Sequence, residues 1–438
     1  MSKTRVLVVD DSAVLRRAIS DLLVGDPDIE VVGHAANGNL ALVRMVELKP
    51  DVVTLDIEMP IMDGLETLRE MKKAGLTFPV IMCSTLTERG AMATLDVLSL
   101  GAACYVTKPS SSGTVAESIE SLRRELIPKV KALGRHHNRY TAPPTRPLNP
   151  VAPSTAPMTG RTGLLTGQAT SQATSQTPSS LVSKPSVPKQ SAIVPPIEAP
   201  VSASPSSRKS NLLKPAAASP AAAPVAPQRS GAPGIFVPTS KRTSKVEAVI
   251  IGVSTGGPNA LAVVLPALPR DLPVPVLVVQ HMPPVFTKLV ADRLNTQCPL
   301  SVSEAVAKEP VRFGKILIAP GDFHMVLEKE AGEVRVGLNQ DPAVNFCRPA
   351  VDVMFHSAVA TYGAGLLAVV LTGMGSDGAM GCQAVHEAGG QVIVQDAETS
   401  VVWGMPGAVF ERGIAEAVLP LGGIANEIIR RVQASVRG

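Results

Sequence analysis

The run Val246-Glu-Ala-Val-Ile-Ile251-Gly252-Val-Ser254-Thr-Gly256-Gly257-Pro258 decides how the C-terminal half of the chain folds. Val246–Ile251 reads as a buried strand, and the residues after Pro258 follow a helical pattern. A glycine-flanked serine therefore stands on a tight strand-to-helix turn. Gly252 and Gly256 relieve crowding there and leave the hydroxyl exposed. Backbone N–H groups at the start of the following helix are then available to an oxyanion. Working outward, two more strands end in reactive side chains. Val274–Val279 runs into Gln280-His281-Met282, and Leu366–Leu371 runs into Thr372-Gly-Met374-Gly-Ser-Asp377-Gly378. Apolar strands alternating with helices imply a mainly parallel, doubly wound α/β sheet, with ligands beyond the carboxyl ends of its strands. Ser254, His281 and Asp377 are thus expected at one sheet edge as nucleophile, base and orienting acid. The expected oxyanion donors are backbone groups at Thr255, Gly256 and Gly257, helped by the Met374 region.

Rival readings of the same residues are weaker. A dinucleotide fingerprint needs a second glycine where Ser254 stands, and an acid where the next strand ends in Gln280-His281. His324, in Pro320-Gly-Asp-Phe-His324, precedes a hairpin pattern and is expected on the rim of the site. His356 and His386 fall in helical stretches and read as bystanders. Asp322 and Asp352 are the alternative orienting acids, less well placed than Asp377.

The N-terminal half reads as five βα units. Its strand-like runs are Val6–Val9, Ile29–Val32, Asp51–Leu55, Pro79–Cys83 and Ala103–Val106. The first ends in Asp10-Asp11, the third in Asp56, the fourth in Ser84-Thr85, and the fifth leads to Lys108-Pro109. Carboxylates converging at one sheet edge repel unless a cation joins them, and hard oxygen ligands suit Mg²⁺. Asp56 can then act as nucleophile toward a phosphoryl group. Lys108 would neutralise the phosphoryl oxygens and Ser84 would hydrogen-bond one of them.

With Met59-Pro60 and Met62-Asp63-Gly64, this half resembles a response-regulator receiver domain of flavodoxin-like (βα)5 fold. The resemblance implies phosphorylation of Asp56 by a chemotaxis histidine kinase, followed by repositioning of Ser84 and Tyr105. In the C-terminal half, Gly-Val-Ser-Thr-Gly-Gly, Gln-His-Met-Pro-Pro, Ile-Ala-Pro-Gly-Asp, Arg348-Pro-Ala-Val-Asp352 and Leu-Thr-Gly-Met-Gly-Ser-Asp-Gly closely resemble the catalytic domain of chemotaxis-type protein-glutamate methylesterases. That family joins the same two domains. The resemblance implies hydrolysis of glutamyl methyl esters on chemoreceptors to glutamate and methanol, deamidation of selected receptor glutamines, and no cofactor for the esterase step.

Composition bounds the rest. At 438 residues the chain is long for one core, so two domains and a linker are expected: a receiver over 3–128, a Pro/Ala/Ser-rich disordered linker over 132–243, and the catalytic domain over 244–438. Charged residues are 18% and the net charge is +4, which gives no reason to expect a nucleic-acid or anionic-membrane surface. A transcriptional output would need a basic helix-turn-helix after the linker, where a glycine-punctuated α/β pattern stands instead. No secretory signal is read at the start, and the five cysteines read as reduced core residues of a cytoplasmic protein. The longest uncharged stretch, Val353 to Ser376, is broken by glycines and reads as a helix followed by a buried strand.

Overall fold

The computed structural model describes residues 3–84, 87–108, 115–141, 235–236 and 245–434. In the N-terminal half, strands β1 (Thr4–Val9), β2 (Ile29–Ala35), β3 (Val52–Asp56), β4 (Val80–Ser84) and β5 (Cys104–Thr107) alternate with helices α1 (Ala13–Val24), α2 (Gly38–Leu48), α3 (Gly64–Lys73), α4 (Glu88–Ser99) and α5 (Val115–Thr141). The strands form one parallel sheet in the order β2-β1-β3-β4-β5. Buried strand residues such as Val6, Leu7, Val8, Val53 and Leu55 face helices on both sides. Each such side chain gains roughly 1.5–3 kcal/mol over an exposed one. The helices start on side-chain caps: Ser12 accepts from the Leu15 N–H, Asn37 from Leu40, Asp63 from Glu66 and Thr87 from Gly90. At Gly64 a Cβ would run into the Asp56 carbonyl, so glycine lets α3 start hard against the end of β3.

The expected domain end at 128 falls inside α5. Pro128 lies inside α5, and the helix continues to Thr141. Proline removes one backbone hydrogen bond, but Leu126, Val130 and Leu133 continue an apolar stripe into the core and hold the helix past it. The rest of the expected linker, apart from 235–236, lies outside the described residues up to Lys245.

In the C-terminal half, β6 (Ile235–Phe236) and β7 (Ala248–Val253) lead to α6 (Gly257–Val264), β8 (Val276–Gln280) and α7 (Phe286–Asn295). There follow β9 (Ser301–Glu304), β10 (Lys315–Ile318), and the hairpin of β11 (His324–Glu330) and β12 (Glu333–Asn339). Helix α8 (Val351–Tyr362), β13 (Leu366–Val370), α9 (Ala379–Glu387), β14 (Gln391–Gln395), α10 (Met405–Glu411), β15 (Ala417–Leu419) and α11 (Leu421–Ala434) complete it. The main sheet runs β6-β15-β14-β13-β7-β8-β10-β9, parallel except for the antiparallel edge strand β6. Chain order reverses around β7: one neighbour is β8 and the other is β13. That is the switch point where such sheets open a crevice at their carboxyl edge. The uncharged stretch is α8 followed by β13, as its glycines imply. None of the described helices is long and apolar enough to cross a membrane.

Candidate active site

Strand register brings the three expected residues to one edge. β7 pairs with β8 so that Val253 lies opposite Gln280, and the His281 N–H donates to the Val253 carbonyl at 3.1 Å. Ser254 and His281 are therefore next-door residues just beyond paired strand ends. On the other side of β7, the Ser254 N–H donates to the Thr372 carbonyl at 3.0 Å, which draws the loop after β13 alongside. A Cβ on Gly373 would lie 2.9 Å from the Ser254 Cβ, so this glycine lets the Met374 segment approach the Ser254 turn. The turn itself is pinned through the Ser254 carbonyl, which accepts from Gln280 Nε2 at 3.0 Å and from the Gly257 N–H at 2.8 Å. Gly257's N–H is thereby spent on the turn. Of the expected oxyanion donors, that leaves Thr255, Gly256 and the Met374 segment.

His281 Nε2 and Asp377 Oδ2 are 2.7 Å apart, both side chains being mostly buried. Asp377 also accepts from the backbone N–H groups of Val351, Asp352 and Gly378 and from Asn345 Nδ2. Burial opposes its charge, but the imidazole and these N–H groups outweigh burial and hold the carboxyl down at about 2. Burial likewise opposes charge on His281. The bonds to Asp377 and Cys347, with their charges, outweigh it and raise the imidazole to about 9. With Nε2 engaged by Asp377, Nδ1 is the remaining ring nitrogen of His281.

Cys347 Sγ sits 3.4 Å from that Nδ1. Of the five cysteines expected as reduced core residues, all are free and Cys83, Cys104 and Cys382 are buried, but Cys298 and Cys347 are only half-buried, and Cys347 touches His281. His324 is also misplaced by the sequence reading. It is fully buried; its Nδ1 accepts from the Ala350 N–H, and its Nε2 lies 3.2 Å from the Pro342 carbonyl, so it braces the segment leading into α8. Asp322 is engaged by Arg348, and Asp352 bonds the Gly381 N–H and Asn345, so among these three acids it is Asp377 that meets His281. His356 and His386 lie on α8 and α9.

At the N-terminal sheet edge, Lys108 Nζ is 2.6 Å from Asp56 Oδ1 and 3.3 Å from Asp10 Oδ2. Asp10, Asp11 and Asp56 offer carboxylate oxygens within 4.8 Å of one another. Asp56 Oδ2 is buried with no hydrogen-bond donor, and Asp10 Oδ2 has only the Lys108 ammonium beside it. Buried anionic oxygens so placed fit a small hard cation. Burial, against the pull of Lys108, pushes the Asp56 carboxyl up to about 6. Ser84 lines the same small cleft, and its hydroxyl links to α4 through the Gly90 carbonyl and Thr94.

The two halves also touch. The Tyr105 ring stacks on Phe286 of α7 with centroids 4.9 Å apart, and Asp96 of α4 pairs with Arg293 at 3.0 Å.

Comparison with known proteins agrees with both halves. Residues 249–428 match the CheB methylesterase family, and residues 6–120 match the response regulator receiver domain. A protein-glutamate methylesterase/protein-glutamine glutaminase of Nocardioides sp. is 43% identical over 99% of this chain and 96% of its own length. The chain belongs to this family. It is a hydrolase joined to a receiver, a response regulator of the chemotaxis methylesterase class. A relative of the same name from Trichodesmium erythraeum is 39% identical over 99% of this chain and 100% of its own. The crystal structure of the Thermotoga maritima CheB methylesterase catalytic domain shares 46% identity, covering 42% of this chain and 98% of that chain, with a TM-score of 0.42.

Proposed function

We propose that this methylesterase hydrolyses glutamyl methyl esters on chemoreceptors, with Ser254, His281 and Asp377 as its catalytic triad, and that phosphorylation of Asp56 releases that activity. The observation that carries the reading is the His281–Asp377 bond of 2.7 Å at the carboxyl edge, with Ser254 in register beside it. In the reaction, Ser254 Oγ attacks the ester carbonyl while His281 Nδ1 takes its proton. The oxyanion develops against backbone N–H groups near Thr255 and Gly256 and on the Met374 segment. His281 returns the proton to the methoxide, and methanol leaves. Water then attacks the acyl-serine by the same steps, giving the glutamate carboxylate, a proton and free Ser254. A glutamine side chain would pass through the same acyl-enzyme with ammonia as leaving group. None of these steps calls on a cofactor.

In the receiver, Asp10, Asp11 and Asp56 would hold Mg²⁺, whose charge would help bring an anionic phosphoryl group to Asp56. Lys108 and Ser84 would take the phosphoryl oxygens. The phosphodonor would be a histidine kinase of the same sensory system, and the protein would work in the cytoplasm. Methanol release from a methylated receptor, with and without a small phosphodonor, tests both halves. Ser254→Ala should lower release about a thousandfold or more. Asp56→Asn should abolish the stimulation. Near-normal release from the serine variant would remove the triad assignment; undiminished stimulation in the aspartate variant would displace the phosphorylation site.

A further inference from the structure

Between β12 and α8 the chain makes a turn that its residue types do not favour. The Val344 N–H donates to the Cys347 carbonyl at 3.1 Å, and the Cys347 N–H returns a bond to Val344 at 2.9 Å. Two residues, Asn345 and Phe346, close this small hairpin, and both take positive φ, 53° and 62°. Two-residue turns of that kind favour asparagine first and glycine second. Asparagine is in its place, but the glycine position holds a phenylalanine. A bulky side chain in the left-handed region is a strained choice. Packing gives no compensation, because Phe346 is 99% exposed.

The position of the turn suggests what the ring is for. Asn345 Nδ2 bridges Asp377 and Asp352 at 2.9 and 3.0 Å, and Cys347 Sγ touches His281 Nδ1. Both neighbours of Phe346 are thus tied to the catalytic groups, and the ring projects from the turn between them. The next residue, Arg348, grips Asp322, whose own φ is 65° and whose neighbour Phe323 is 36% exposed. A Cβ on Gly321 would run into the Pro283–Pro284 backbone, so that loop lies directly on the His281-Met-Pro-Pro segment, which ends at the 42% exposed Val285. The histidine side of the site is therefore bordered by exposed apolar residues on strained, mutually braced loops. A small ester would reach Ser254 without such a border. An ester carried on a larger surface would meet it.

We propose that Phe346 is a specificity-determining anchor for the protein substrate: its ring packs on apolar side chains of the receptor beside the methylated glutamate. The inference rests on the methylesterase reading above and adds to it the residue that distinguishes a receptor from any other ester. The strained turn holds the ring out before the substrate arrives, so little ordering is left to do on binding.

The test compares two substrates with the full-length protein and a small phosphodonor: a methylated receptor cytoplasmic fragment, followed by methanol release, and p-nitrophenyl acetate, followed by absorbance. For Phe346→Ala and Phe346→Gly, the ratio of receptor to small-ester kcat/KM should fall tenfold or more, chiefly through receptor KM. Phe346→Trp should restore most of it, and Phe346→Gly should also raise Tm by relieving the turn. An unchanged ratio overturns the proposal, whether both rates hold or both fall together. So does loss of a concentration-dependent self-association in the variants, which would make a second copy of this chain the occupant. A wild-type protein that releases no methanol from the receptor overturns the underlying reading as well, and is recognised by its failure before any substitution.

Discussion

Removing the thiol of Cys347 should expose how the base is tuned. Burial pulls the imidazole down, while the bonds and charges of Asp377 and Cys347 raise it to about 9. Only the neutral imidazole can take the serine proton, so kcat/KM should climb with pH as His281 loses its proton. Cys347→Ala removes one of the two raising partners. The rising limb should therefore move to lower pH, with a relative gain in rate on the acid side. A pH profile of small-ester hydrolysis decides this, and an unmoved limb would show that the thiol is only a neighbour. Ser254, His281 and Asp377 were legible in the sequence because each follows an apolar strand, and parallel strands deliver their ends to one edge. Cys347 was not. It lies 66 residues from His281 and reaches it from a loop, a contact that no spacing encodes. His324 misled for a related reason: its place before a hairpin marks a loop end, but not which side of that end is covered.

Glycine at the loop joints is what lets these elements close on one another. Gly321 is the sharpest instance, since an added Cβ would overlap the backbone of Pro283 and Pro284 rather than a side chain that could swing away. Gly321→Ala should thus cost about 2 kcal/mol of stability, in the range of overpacking at a rigid contact. It should also disturb His281, which stands just ahead of the two prolines. Denaturant unfolding gives the first effect and small-ester kcat the second; full retention of both would mean the two loops part more easily than their packing implies. Strand and helix order were readable from the period of apolar residues, and observed strand ends fall within two or three residues of those expected. The expected domain end at 128 falls within the long α5, because local sequence there carries Pro128, and it is the burial of Leu126, Val130 and Leu133 that shows the apolar stripe continuing across it.

Regulation belongs to the molecule as a whole, because the proposed phosphoryl site and the proposed triad sit in different sheets. What joins them is a short route: Ser84 bonds Thr94 of α4 at 2.6 Å, α4 packs against α6 and α7, and Tyr105 of β5 stacks flat on Phe286 of α7. Ser84 was picked out by its strand end and Tyr105 through resemblance, but the surface that Tyr105 meets comes from a segment some 180 residues away, beyond the reach of any local pattern. A stacked aromatic pair contributes about 0.5–1.5 kcal/mol beyond its buried area. The Asp96–Arg293 pair is well exposed and adds little. If the unphosphorylated receiver restrains the esterase by holding α7, losing the stack by about 1 kcal/mol shifts the docked equilibrium by about fivefold. Tyr105→Ala should then raise the initial methanol release rate without phosphodonor, by up to about fivefold, and Phe286→Ala should do the same from the other side. A catalytic fragment beginning near Lys245 should be active with no phosphodonor at all. Should that fragment run slower than the unphosphorylated full-length protein, the receiver acts mainly as an activator. The stack would then belong to the active arrangement, and Tyr105→Ala would lower the rate instead.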